Sequence, residues 1–367
     1  MRKLDFQAKC QQLRVYPEQH FGESASERWL CLCSLLTEYH PASGNFRIDK
    51  ERKWEVASAL QKSIRRAEES TALRVIAATQ EMPEEYAYFL RRLCVIACED
   101  IGPGDDTLVK FVLACATLFS TQKPSPDHFR VLNFLTAQMC ELPVRSRIYC
   151  SYEIITDAAR NSALPPLNSD EKVIVDAIRQ HKQDIATSTT RFHDWQRSQS
   201  WRTAGLLPYL GLSLPIESQV NTDPLPGSRI VFELPSYCYD MYTRIGLSGL
   251  RRIVAGVPGA ESIRDFFQRN ALASPHKVLG EALFTVEGGR EQSELLYPAL
   301  SLMEQRIFAH RFGLRFDDRL HLCDLTLKAL QNGTIDRVRE EVLRGQYGQG
   351  QLQLIAQTEE PVGTATN

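Results

Sequence analysis

Tyr86-Ala-Tyr-Phe-Leu-Arg-Arg-Leu-Cys-Val-Ile-Ala97 sets Tyr86, Phe89, Leu90, Leu93 and Ala97 at i, i+3, i+4, i+7 and i+11, with Arg91 and Arg92 off that line. Such spacing lines up along one face of a 3.6-residue helix; along a strand, where faces alternate every second residue, it would scatter to both sides. The stretch therefore reads as an amphipathic helix. Its neighbours read the same way. Upstream, Val56, Ala59, Leu60 and Ile64 make a second stripe, with Lys62, Arg65 and Arg66 projecting from the far side, and a short helix is expected from Thr71 to Gln80, ended before Pro83. Downstream, Thr107 to Phe119 is apolar nearly all round and reads as a central helix, introduced by Asp105 and Asp106 as N-cap candidates after a break at Gly102-Pro103-Gly104.

Two further helices are expected over Asp127 to Leu142 and Arg145 to Asn161, the second following Pro143 and stopping before Leu164-Pro165-Pro166. That proline pair marks a domain boundary. Ser169-Asp170-Glu171 opens another helical run, and a Pro/Gly-rich connection spans 205–227. Arg229 to Leu234 is the one convincing strand. Helices are then expected over Tyr239 to Val254, Ser262 to Asn270, Lys277 to Phe284, Glu291 to Phe312 and, as one element, Asp318 to Leu343. From Gly345 the Gln/Gly and then Thr/Pro/Gly composition reads as a mobile tail. The expected organisation is an N-terminal helical extension (1–53), a helical module (54–164), a second mainly helical domain with little β (165–344) and the tail (345–367). The fold class is all-α.

Composition narrows the functional classes. Of 367 residues, 43 are basic, 45 acidic and 43% hydrophobic, for a formal charge of −2. Chains that stay disordered are poorer in apolar residues and carry more net charge. A generally basic nucleic-acid coat is excluded, and local basic patches are not. The longest apolar stretch, Leu108 to Phe119, is about 12 residues, against roughly 20 needed to span a bilayer, so no membrane association is expected. Met1 to Gln7 has no apolar h-region, which points to a cytoplasmic protein whose ten cysteines are reduced core thiols.

Several chemistries lack their residues. A phosphate-cradling loop needs glycines followed by Gly-Lys and a hydroxyl, and Gly-Lys does not occur in this chain, so it is not an ATPase by itself. Val95 to Asp100 looks like the apolar run and acidic pair that hold magnesium in such enzymes, but its helical stripe favours core. Cys94 and Cys98 at i, i+4, and Cys31 with Cys33, have no second pair at zinc-finger spacing, and a buried thiol is the stronger reading of Cys94. No metal site and no cofactor are expected. Gly246-Leu-Ser248-Gly249 does not have nucleophile-elbow spacing.

Two groups of polar residues remain. Asp240, Tyr242 and Thr243, followed by Arg244, open a helix and could hold a small ligand; a capped helix with solvent-facing arginines is the blander and stronger account. Arg66, Arg145, Arg147, Arg244, Arg251 and Arg252 could contact nucleic acid or other anions, as could Arg191, Arg197 and Arg202 among Trp195 and Trp201; each alone is usually a solvated helix face.

Ser58 to Arg65, then Ala72-Leu73, then Arg91 to Gly102 form three blocks in order, and they resemble the C-terminal half of the MgsA/RarA family of replication-associated recombination ATPases, relatives of the clamp loaders. Cys98 stands where serine is usual, and Pro143 with Arg145-Ser146 is similar to a later Pro-Lys-Ser element with one residue inserted. The likeness runs from about Trp54 to Arg160. It implies a clamp-loader-collar-like helical bundle carrying an oligomerisation surface, with Lys62, Ser63, Arg65, Arg91, Arg92, Glu99, Asp100 and Gly102 as its motif residues. It also implies a homo-oligomer, expected to be a tetramer, and a replication or repair setting. The family's ATPase lies N-terminal to this module, and the residues before Trp54 are too few for one. The expected function is non-catalytic oligomerisation and interaction at DNA replication or repair, with a separately encoded AAA+ ATPase as one possible partner and DNA as another. The alternative is a small-ligand binder or enzyme with its site around Tyr239 to Arg252.

Overall fold

The computed structural model describes residues 52–80, 83–101, 122–142, 225–272, 274–288 and 298–356, with scattered positions between 108 and 119 and between 154 and 176. Of these, 78% are helical and 2% are in strands, so the described chain is mainly all-α. Among them no helix is long and apolar enough to cross a membrane. The expected extension before Arg52 lies outside the described residues, as do Gly102, Arg145, Arg147 and the arginine/tryptophan group near 191–202.

The chain divides into two units: the described residues up to 225 with 288–316, and 226–287 with those from 317 on. The sequence suggested one contiguous cut near 165. A returning helix explains the difference, because Arg306 bonds to Glu171 and to the Pro166 carbonyl (2.8 Å) and so fastens 298–312 to the first unit.

In the first unit, α1 (Lys53–Arg65), α2 (Glu69–Thr79), α3 (Tyr86–Ile96) and α4 (Pro126–Glu141) pack with α1 at the centre, touching each of the others. Val56, Ala59, Leu60 and Ile64 are fully buried, as the stripe requires. Burying each large aliphatic side chain contributes about 1.5–3 kcal/mol. Leu108, Val109, Val112, Cys115, Ala116 and Phe119, the described positions of the expected central helix, are all buried. α1 ends in a Schellman motif: Glu68 N–H donates to the Ser63 carbonyl (2.9 Å), Ala67 N–H donates to the Ile64 carbonyl (3.1 Å), and Ala67 itself takes φ 59°. Ser125 caps α4 by accepting from His128 N–H (3.3 Å), with Pro126 at the first helical position. The His128 ring then stacks on Phe119 (4.1 Å between centroids) and Tyr86 (6.2 Å). Asn168 and Glu171 exchange backbone and side-chain hydrogen bonds at 2.9 Å, a capping box that starts the run after the proline pair. α8 (Pro298–Phe312) completes the described part of this unit.

The second unit holds β1 (Ile230–Val231), β2 (Leu234–Pro235), α5 (Arg244–Gly256), α6 (Glu261–Asn270), α7 (Pro275–Gly288), α9 (Phe316–Gln331) and α10 (Thr334–Ala356), with the last residue of α7 and the first of α9 assigned to the first unit. Four expectations need correcting. The strand expected over Arg229 to Leu234 folds back on itself as a two-residue hairpin, with Phe232 (φ 48°) and Glu233 (φ 68°) in left-handed turn geometry that Asn-Gly would normally announce. The helix expected from Tyr239 begins at Arg244, because Tyr239 to Thr243 form a turn closed by Thr243 N–H to the Asp240 carbonyl (3.0 Å). The single helix over Asp318 to Leu343 is two, broken at Gly333, whose φ of 75° no continuing helix allows. The tail from Gly345 is instead helical to Ala356. Glycine costs a helix about 1 kcal/mol, but extending a helix already nucleated is cheap, so the segment continues.

Candidate functional site

Extending the decisive stripe one turn beyond Ala97 reaches Asp100, a carboxylate on a face meant for the core. An ionised group there demands a partner. The chain supplies several. From Ala97 to Ile101 the helix widens into a π-turn, an arrangement often found at functional sites. Asp100 is fully buried, and Arg65 Nε–H donates to its Oδ1 at 2.5 Å. Gln61, one turn before Arg65 on α1, donates from Nε2 to Asp100 Oδ2 (3.1 Å) and Glu99 Oε2 (3.3 Å). Its own Oε1 accepts from Arg92 Nη2 at 2.6 Å. Two carboxylates and two guanidiniums therefore balance around one amide.

Of the motif residues, the structure brings together Arg65, Arg92, Glu99 and Asp100. Lys62 is also buried (1% exposed), and Ser63 is buried with its hydroxyl donating to the Ala59 carbonyl (2.7 Å). The expected far side of α1 is thus corrected for Lys62 and Arg65: both are buried in the first unit. Arg66 is half-buried, bonded through Nε to Glu68 (2.6 Å). Arg91 is exposed and Arg92 half-buried. Gln61, the hub, was missed in the sequence, although its i, i+4 relation to Arg65 was visible.

The two thiols on this helix, Cys94 and Cys98, are not activated. Burial, and after it Glu99, pushes the Cys98 thiol well above its ordinary pKa; burial does the same to Cys94, with Cys98 and Cys115 adding to it. Neither is a thiolate at neutral pH. Among the described residues no group of three or more His, Cys, Asp and Glu side chains is placed to hold a metal ion.

In the second unit, the residues proposed for a small-ligand site make local bonds. Asp240 is buried, and its Oδ1 accepts from Tyr242 N–H (2.9 Å). Thr243 donates its hydroxyl to the Asp240 carbonyl (3.0 Å) and caps α5 by accepting from Gly246 N–H (3.1 Å). Tyr242 is 68% exposed; Arg244, Arg251 and Arg252 are exposed, with Arg252 bonded to Glu341 (2.7 Å). A second buried network, unforeseen in the sequence, joins Arg339 to Glu287 through two bonds (2.6 and 2.9 Å) and to the Tyr239 carbonyl (3.0 Å). Burial opposes the Arg339 charge, but Glu287 and Asp336 outweigh it and hold its pKa above the ordinary arginine value.

No protein-family model, no curated protein and no solved structure matches the chain.

Proposed function

We propose that the protein is a non-catalytic oligomerisation and interaction module working in the cytoplasm at DNA replication or repair, built like the collar of the MgsA/RarA family. One observation carries the reading. Motif residues from separate sequence blocks, Arg65 in the first and Arg92, Glu99 and Asp100 in the third, meet in one network whose Arg65–Asp100 pair is buried. The network fixes α3 against α1, and at their outer edge it leaves Trp54 57% exposed, edge to face with Tyr88 at 5.4 Å and with the Lys53 ammonium 5.8 Å from its ring. An exposed tryptophan backed by a rigid helix pair is the kind of anchor that dominates protein interfaces. A homo-oligomer, a tetramer by the resemblance, is the expected assembly, with a separately encoded AAA+ ATPase as a further partner.

Light scattering on the full chain over a dilution series tests this. A mass of several chains that falls on dilution supports the reading, and a monomer at tens of micromolar contradicts it.

A further inference from the structure

Two helices of the second unit that pack closely, α5 and α7, each carry exposed cations. Gly280 of α7 lies so near α5 and the turn before it that a Cβ there would sit 2.8 Å from the Met241 Cβ and 3.1 Å from Leu250 Cδ1. This close approach brings the start of α7, with exposed Lys277 and half-buried His276 about one turn before Gly280, toward the part of α5 where Arg251 follows Leu250. Their proximity registers on His276: partial burial first, then the positive fields of Arg251 and Lys277, hold the imidazole below its ordinary pKa. Arg244, also exposed, lies two helical turns from Arg251 on the same side of α5, about 10 Å along the axis. Just before it, exposed Tyr242 meets Phe284 of α7 edge to face at 5.9 Å. Arg252 points elsewhere, to Glu341 on α10. Between Pro275 and Phe284, α7 carries one carboxylate, half-buried Glu281, so the positive groups outnumber it.

We propose that Tyr242, Arg244, Arg251 and Lys277 form a binding strip for single-stranded nucleic acid, with phosphates on the three cations and a base stacked on the tyrosine ring. An exposed aromatic at the end of a row of cations is the combination that unpaired bases and their backbone require, whereas a duplex keeps its base faces stacked and an acidic peptide has no use for the ring. The strip lies outside the residues that carry the family resemblance. Its test is therefore independent of the oligomer mass.

The experiment is fluorescence anisotropy of labelled oligothymidylate titrated with the full chain over a salt series, using variants whose melting matches the wild type. The Arg251→Ala/Lys277→Ala double variant should bind about tenfold more weakly, with the slope of log affinity against log salt shallower by about 1.4 for two lost phosphate contacts. Tyr242→Ala should lose about fivefold or more while Tyr242→Phe keeps wild-type affinity, since the ring face and not the hydroxyl does the stacking. Arg252→Ala should bind as the wild type does. The strip is overturned if the wild type does not bind the oligonucleotide, if the double variant retains its affinity and salt slope, or if polyglutamate displaces the oligonucleotide equally well per charge.

Discussion

Arg65 Nε and Asp100 Oδ1 stand 2.5 Å apart across a sequence separation of 35 residues, with side chains 3% and 0% exposed. Both have left water, so each depends on the other. Asp100→Ala leaves a guanidinium buried without its carboxylate and should destabilise the first unit by about 3–5 kcal/mol, the usual consequence of breaking a buried pair. Replacing both, as Arg65→Met/Asp100→Leu, should cost less than the single change. Denaturant melts of the three chains measure this, and a double variant as damaged as the single one would contradict it.

Two substitutions at helix ends should act against simple helix propensity. Gly246→Ala in α5 ought to stabilise a helix by about 1 kcal/mol on propensity alone. Here the new Cβ would sit 1.9 Å from the Asp240 carbonyl oxygen, so the turn that Thr243 closes must open and stability should fall. Ala67→Gly goes the other way. Ala67 sits at φ 59°, a conformation costing an L residue about 1–2 kcal/mol, so glycine there should raise the midpoint of unfolding.

High pH should weaken the first unit. Burial raises the pKa values of Cys94, Cys98 and Tyr86, so these groups keep their protons in the folded chain after the unfolded chain has begun to lose its own. The unfolded state then binds fewer protons, and stability falls as pH rises above the ordinary thiol range, from about pH 8.5 upward. Thermal melts between neutral pH and pH 10 should show the decline. A Cys94→Ala/Cys98→Ala variant should show less of it.

Trp54→Asp should reduce the oligomer to smaller species without lowering the melting temperature appreciably, because the ring is mostly exposed and its truncation uncovers little core. Light scattering and circular dichroism on the same sample separate the two effects. Loss of both mass and helix would argue that Trp54 holds the fold and not an interface.

The helical part of the fold was legible because its signal is local. The stripes Val56 to Ile64 and Tyr86 to Ala97 fix helix faces through spacing alone. What the sequence hid depends on contacts far along the chain. Nothing local says that Lys62 and Arg65 are covered, that Arg306 draws α8 back to Pro166, or that Arg339 finds Glu287 52 residues away. The hairpin at Phe232-Glu233 was hidden for another reason, since neither residue type favours left-handed geometry. The carboxylate on the apolar stripe at Asp100 is visible in the sequence as a charge that needs a partner, but nothing local points to Arg65, 35 residues away.

The most direct test of the central claim is the native mass of the full chain at micromolar concentration. A 41.7 kDa polypeptide acting as an oligomerisation module should fly or sediment as a multiple of that mass, four chains by the family resemblance. A single species at 41.7 kDa, unchanged as concentration rises, would contradict it.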